Sequence, residues 1–228
     1  MAASALFVTG TDTGIGKTTV SAALLHALRA EGRSAVGMKP VASGCERIDG
    51  HWRNEDALAL QAASQPTPDY ALINPFALPQ PLAPELAAAE AGIELSLPPL
   101  QQAFQQLQQQ ANTVVVEGVG GWAAPLNAHL DQLDLLRALG GMPVLLVVGL
   151  RLGCISHARL TAAALAAAGV DCVGWVCNGV DPAMARQDEN FQMLTQRLPM
   201  PCWGRLPYAP ELSAAELAAY LQLPNDWK

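Results

Sequence analysis

The sequence predicts an α/β fold: a doubly wound, mostly parallel sheet with helices on both faces, in a single domain over residues 1–228. Three observations carry this reading. Short β-rich runs alternate with helical patterns along the chain, the order that builds parallel sheets from βαβ units. Some runs, such as Val144-Leu145-Leu146-Val147-Val148, are continuously apolar, as strands covered on both faces are. The 228 residues are 51% hydrophobic and 14% charged. That suffices for one large core, leaves little for a second domain and excludes a mainly disordered chain.

Taken in order, a strand is expected at Ala5–Thr9, then a glycine-rich turn and a helix over Lys17–Ala30. A second strand at Ala35–Lys39 precedes a helix at Asn54–Ala63. Residues 66–84 hold six prolines and read as a long irregular connection, either a functional loop or a rigid crossover. The stretch Leu97–Ala111 is rich in Gln, yet Leu100, Phe104, Leu107 and Ala111 recur at spacings of 4, 3 and 4. That is an amphipathic helix with a Gln surface. Strands then follow at Thr113–Glu117, Val144–Val148, Cys172–Cys177 and Cys202–Leu206. Helices are expected at Asp131–Leu139, Ser156–Ala168, Arg186–Arg197 and Ser213–Leu221. No internal repeat is evident.

A net charge of −7 disfavours a nucleic-acid coat protein. No apolar run approaches the length of a transmembrane span, and the start of the chain lacks the basic region of a secretory signal. The expectation is a cytoplasmic protein with no membrane or nucleic-acid partner. The five cysteines contain no C-x-x-C pair and read as reduced thiols; the four histidines form no ligand pattern. Of 13 basic residues, ten are Arg and three are Lys: Lys17, Lys39 and the terminal Lys228. Two internal lysines stand out against that background.

Lys17 belongs to the strongest signal in the chain. The first strand runs into Gly10-Thr11-Asp12-Thr13-Gly14-Ile15-Gly16-Lys17-Thr18-Thr19 and then a helical pattern. Such a turn aims backbone N–H groups at an anion. The Lys reaches the outer phosphates of a nucleotide, and the next hydroxyl, Thr18, suits Mg²⁺. Gly10 and Gly16 enclose five residues where Walker A has four, so this phosphate (P-) loop is one residue longer.

Lys39 closes the second strand, in Lys39-Pro40-Val41-Ala42-Ser43-Gly44. Ligands of doubly wound sheets sit outside the carboxyl ends of the strands, which puts Lys39 on the edge that holds the phosphate loop. A compact ammonium does what a planar guanidinium cannot, so Lys39 reads as functional against the alternative of a solvated strand end. The strand Thr113–Glu117 ends in an acid before Gly118-Val119-Gly120-Gly121, the place of a Walker-B-type acid that holds Mg²⁺. Asp56 opens a helix, where an acid is either a metal ligand or a complement to the helix dipole.

These segments together are similar to one family. Gly10–Thr18, the K-P-V-A-S-G turn at Lys39–Gly44, the helix start at Asn54–Ala57, Val114–Trp122, Leu150–Thr161 and Gly174–Val180 resemble dethiobiotin synthetases, in order, over residues 5–210. The loop alone is less specific, because related ATP-dependent amidotransferases carry it. The resemblance implies a P-loop-type fold and an ATP- and Mg²⁺-dependent ring closure. One amine of 7,8-diaminononanoate takes up CO₂ to form a carbamate. ATP phosphorylates the carbamate, and the second amine attacks the mixed anhydride to give dethiobiotin, ADP and phosphate.

The resemblance also implies roles for residues. Thr13, Gly14, Ile15, Gly16, Lys17 and Thr18 cradle the phosphates, with Thr18, Asp56 and Glu117 on the metal. Lys39 and Lys17 act in catalysis, and Thr11 and Ser43 line the carbamate site. Glu117, Gly118, Val119 and Gly120 border the nucleotide. Asn178 and Gly179 lie at adenine, and Pro207, Tyr208, Ala209 and Glu211 close over base and ribose. Gly153, Cys154, Ile155 and Ser156 start a helix that holds the substrate carboxylate of a partner subunit, which implies a homodimer.

The chain departs from the family in three places. Gly14 stands where an acid is common in the loop, and Gly179 stands where an acid is frequent. Asn190, with Phe191 beside it, stands where members can carry a Tyr that reaches the partner's substrate. The rival reading is a regulatory ATPase of the partition type. Its signature Lys, five residues before the G-K-T lysine, is replaced here by Asp12, and the C-terminal segment from Pro224 has no amphipathic character. An amidotransferase would need a further glutaminase domain, for which the length leaves no room.

Overall fold

The computed structural model describes residues 4–224; the reading of the tail, Lys228 included, lies outside the described residues. Six strands form the central sheet: β1 (Ser4–Gly10), β2 (Ala35–Met38), β7 (Thr113–Glu117), β8 (Val144–Leu150), β9 (Cys172–Gly179) and β10 (Cys202–Leu206). Their order is β10-β9-β8-β1-β7-β2, and all pairings are parallel. The chain leaves β1 toward one side of the sheet, through β2 and β7, and then crosses to the other side through β8. The carboxyl ends of β1, β2 and β7 therefore share one edge beside the reversal, where doubly wound sheets bind ligands.

Side chains alternate between the two faces with the period of a strand. Leu6 and Val8 of β1 and Leu145 and Val147 of β8 pack with helices α1 (Lys17–Ala30) and α2 (Glu55–Ala63). Phe7, Val114, Val116 and Val144 pack instead with α5 (Leu97–Gln110) and α6 (Gln132–Ala138). Leu146 and Val148 pack with α7 (Cys154–Ala167) and α8 (Gln187–Arg197). A short helix, α9 (Ala214–Leu217), followed by a 3₁₀ turn at Ala218–Tyr220, covers the α1 face. Along α5 the predicted face is the buried one: Leu100, Phe104 and Leu107, joined by Ala103, are buried, and Ala111 is buried at the C-cap, with most of the Gln residues outward.

The segment between β2 and α5 is more ordered than its sequence suggests. The expected turn after Lys39 is a strand, β3 (Val41–Ser43), in parallel register with β6 (Phe76–Leu78). A hairpin of β4 (Glu46–Ile48) and β5 (His51–Arg53) follows β3. The proline-rich connection, expected to be irregular, contains α3 (Tyr70–Ile73) and β6, and Pro84 opens α4 (Pro84–Ala91). Pro at the first helical position has no N–H to leave unsatisfied. The β3–β6 pair holds this segment against the ligand edge.

Candidate active site

The phosphate loop forms as the sequence predicts. Gly16 is the N-cap of α1 at φ +80°, and a Cβ there would also lie 2.0 Å from Asn178 Nδ2, so only glycine fits. Asn178 Nδ2 donates to the Ile15 carbonyl at 3.0 Å and ties the loop to the end of β9. The Asp12 side chain accepts from Thr13 N at 2.8 Å and pairs with Arg151. The Lys17 ammonium folds back to the Asp12 carbonyl at 2.9 Å.

Lys39 is 3% exposed, which removes the solvated-surface alternative. Its Nζ lies 2.5 Å from Glu117 Oε1 and 3.0 Å from Asp56 Oδ2. Thr18 Oγ1 donates to the same Glu117 oxygen at 2.8 Å. Asp56 is held by the start of α2, where the Asn54 side chain accepts from Asp56 N at 3.0 Å and from Ala57 N at 3.3 Å. Three elements, β2, α2 and β7, thus deliver one cation and two acids to a single point beside the loop.

Burial of Lys17, reinforced by the neighbouring Lys39 charge, lowers its pKa to about 8. Burial also opposes the Lys39 ammonium, but the charges of Glu117 and Asp56 and their hydrogen bonds outweigh it and hold Lys39 above the ordinary lysine range. Asp56 shows the converse. Burial would raise its carboxyl, but Lys39 and its hydrogen bonds keep it below the usual carboxylate range.

A cleft of about 880 Å³ opens over this point. It brings together Thr13, Gly14, Gly16, Lys17, Thr18, Lys39, Ser43, Asp56, Glu117, Val119 and Gly120. Two polar atoms of its lining residues, Ser43 Oγ and Glu117 Oε2, are buried with no hydrogen-bond partner among the described residues. Thr18, Asp56 and Glu117 offer the hard oxygen donors of a Mg²⁺ site, and the unpartnered Glu117 Oε2 fits such an ion. Among the described residues no group of three or more His, Cys, Asp or Glu side chains stands close enough to hold a metal ion.

Other expected residues lie outside the cleft lining. Thr11 and Ile15 of the loop and Gly118 after β7 are not in the lining, and Asn178, Gly179, Pro207, Tyr208, Ala209 and Glu211 sit at the β9–β10 side. Gly153 is the N-cap of α7, which starts two residues earlier than its apolar pattern suggests; Cys154, Ile155 and Ser156 form its first turn, also outside the lining. Asn54 belongs to the helix start that the sequence singles out but has no site role there, and Glu55 and the wall from Pro81 to Pro84 carry no local signal beyond the proline-rich stretch. All five cysteines are free. No helix among the described residues is long and apolar enough to cross a membrane.

Comparisons with known proteins show which family the chain belongs to. Residues 4–216 match the family described as "AAA domain". Among solved structures, the MinD cell division protein of Aquifex aeolicus covers 95% of this chain at a TM-score of 0.55 and 13% identity, with 87% of its own chain matched. The cell division protein FtsY of Thermotoga maritima covers 96% at a TM-score of 0.55 and 16% identity, with 67% of its own chain matched. These two share the fold. The curated relatives are far nearer in sequence. The ATP-dependent dethiobiotin synthetase BioD of Xanthomonas oryzae pv. oryzae is 69% identical over 221 residues, 97% of this chain and 98% of that protein. The protein of the same name from Xylella fastidiosa is 62% identical over 227 residues, 99% of this chain and all of that protein. With such identity along nearly its whole length, and with the phosphate loop, paired lysines and buried acids assembled at one sheet edge, the chain belongs to the ATP-dependent dethiobiotin synthetases.

Proposed function

We propose that this chain converts 7,8-diaminononanoate, CO₂ and ATP into dethiobiotin, ADP and phosphate, in the cytoplasm and as a homodimer. The observation that carries the reading is the meeting of Lys39 with Asp56 and Glu117 beside Lys17 and the loop amides. A carbamate and a γ-phosphate are both anions, and their approach needs positive charge fixed in advance. The loop N–H groups, the start of α1 and Lys17 orient the phosphates. Lys39, kept charged by its two acids, stands at the cleft wall beside Ser43, where the carbamate oxygen attacks the γ-phosphorus and ADP leaves. The second amine then attacks the carbonyl carbon of the anhydride, the ring closes, and phosphate departs with its oxygen. Thr18, Asp56 and Glu117 would hold Mg²⁺, which supplies further neutralisation of phosphate charge when bound.

No nucleophilic side chain is needed, because positioning and electrostatics carry phosphoryl transfer. The start of α7, outside this chain's own cleft, fits the expected role of cradling a partner subunit's substrate carboxylate. The expected result is ATP consumption only when diamine and bicarbonate are both present, with dethiobiotin as product. ATP hydrolysis at full rate without the diamine would refute the synthetase reading and favour the regulatory ATPase.

A further inference from the structure

Behind the cleft, a single phenol joins the two elements that carry Lys39 and Asp56. Tyr70 is 5% exposed and does not line the cleft. Its hydroxyl accepts from Asn54 N at 2.8 Å and donates to Asn74 Oδ1 at 3.1 Å. Asn54 is the N-cap of α2, and its side chain fixes Asp56 N and Ala57 N while its Nδ2 donates to the Ser43 carbonyl at 3.2 Å. Asn74 Nδ2 donates to the Lys39 carbonyl at 2.7 Å, and Lys39 N donates to the Ile73 carbonyl at 2.8 Å. Asn54 and Asn74 are each 4% exposed. The Arg53 guanidinium stacks over the Tyr70 ring at 4.0 Å and closes the outer side.

The arrangement is a chain of buried hydrogen bonds with Tyr70 at its centre. One arm reaches the backbone of Lys39, and the other reaches the backbone that carries Asp56 and Ser43. Tyr70 and Asn74 do not line the cleft, whereas Asn54, Lys39 and Ser43, which they hold, do. Without them, Lys39 leaves the sheet at Pro40 and Asp56 sits in the first turn of a helix, with the β4–β5 hairpin between them. Buried polar links of this kind set geometry, since each lost partner leaves a desolvated group unpaired. The Tyr70–Asn74 link is local, across the four residues of α3 and its cap, whereas Asn54 lies 16 residues from Tyr70 and Lys39 lies 35 from Asn74, so the fold brings the two arms together.

We propose that Tyr70 is a positioning residue for the reaction: through Asn74 and Asn54 it sets the separation of Lys39 from Asp56. This rests on the synthetase reading above. It predicts that removing the hydroxyl loosens the catalytic geometry while the ring stays packed.

The test compares Tyr70→Phe with Ser64→Ala in the full-length protein. Ser64 offers a matched lesion outside the cleft lining and outside the Tyr70 links: its hydroxyl accepts from Gly37 N at 2.8 Å on β2, so its loss also leaves a buried N–H unpaired. Steady-state kinetics, thermal unfolding and a Mg²⁺ titration of ATP-dependent turnover are measured for both. Tyr70→Phe is expected to lower kcat roughly tenfold or more and to raise the half-saturating Mg²⁺ concentration, with the KM for ATP within about twofold of wild type. Ser64→Ala is expected to lose similar thermal stability and to keep kcat. Asn74→Ala breaks the Lys39 arm alone and is read in the same way if Tyr70→Phe does not fold. Unchanged kcat and Mg²⁺ dependence in the Tyr70 variant would overturn the proposal, as would an equal kcat loss in the Ser64 variant. Absence of dethiobiotin from the wild type would instead strike the functional reading itself.

Discussion

Lys17 and Lys39 are both buried ammonium groups, and their surroundings push them in opposite directions. Lys39 faces two carboxylates and stays charged. Lys17 faces a carbonyl oxygen and another cation, and its pKa falls to about 8. The sign follows from linkage. Between that value and the unfolded 10.5, the unfolded chain holds a proton that the folded chain has released. Stability from this group therefore rises with pH in that window, and below it the full cost of burying the charge is present. A triphosphate at the loop restores the favourable partner, so ATP binding at about pH 8.5 is expected to take up a fraction of a proton. Titration calorimetry in buffers of different ionisation enthalpy measures this directly. Uptake should vanish at about pH 6.5, where Lys17 is already charged, and in Lys17→Arg, whose guanidinium does not titrate. No uptake at the higher pH would mean that Lys17 is charged before the nucleotide arrives.

At the scale of elements, the end of β9 meets the segment after β10 backbone to backbone. A Cβ on Gly179 would lie 2.6 Å from Tyr208 N and 3.1 Å from the Pro207 carbonyl carbon. Glycine there allows close approach of two chains. In Gly179→Ala the segment Pro207–Ala209 must move outward, and the overpacking, about 1–3 kcal/mol, falls on the proposed base-closing wall. The KM for ATP should rise roughly tenfold while the KM for the diamine stays near wild type. Initial-rate measurements against each substrate check this, and an unchanged KM for ATP would detach that segment from the nucleotide. The same scale shows what was legible. The limits of α1, β7 and β10 match the sequence reading because apolar runs and the glycine-to-lysine boundary mark them locally. The strands β3 and β6 went unread because each has three residues and is made by pairing with the other, 35 positions away in register. Lys39 was visible as a lone ammonium among arginines, but its contacts with Asp56 and Glu117 are products of topology. Arg151 on Asp12 is another such case, joined across 139 residues with no local pattern.

For the whole molecule, a net charge of −7 and an anionic reaction are reconciled by keeping the positive field local. The outer face of α7 raises a different question, that of assembly. Leu152 is 89% exposed just before the helix and Leu160 is 67% exposed on it. Ala163, Ala164 and Ala167 continue the exposed side of the same helix. Large apolar side chains beside small ones form a surface on which a second helix packs closely, and contiguous exposed apolar patches mark association. This face adjoins Gly153, the helix start expected to serve a neighbouring subunit's substrate. Leu160→Asp places a charge at that surface and should convert the proposed dimer to monomers by sedimentation equilibrium. The shared-site reading further requires the KM for diamine to rise about tenfold or more, with ATP affinity nearly unchanged, because the phosphate loop lies within one chain. A monomeric variant with normal diamine kinetics would show that each chain completes its own substrate site. A variant that stays dimeric would move the interface away from α7.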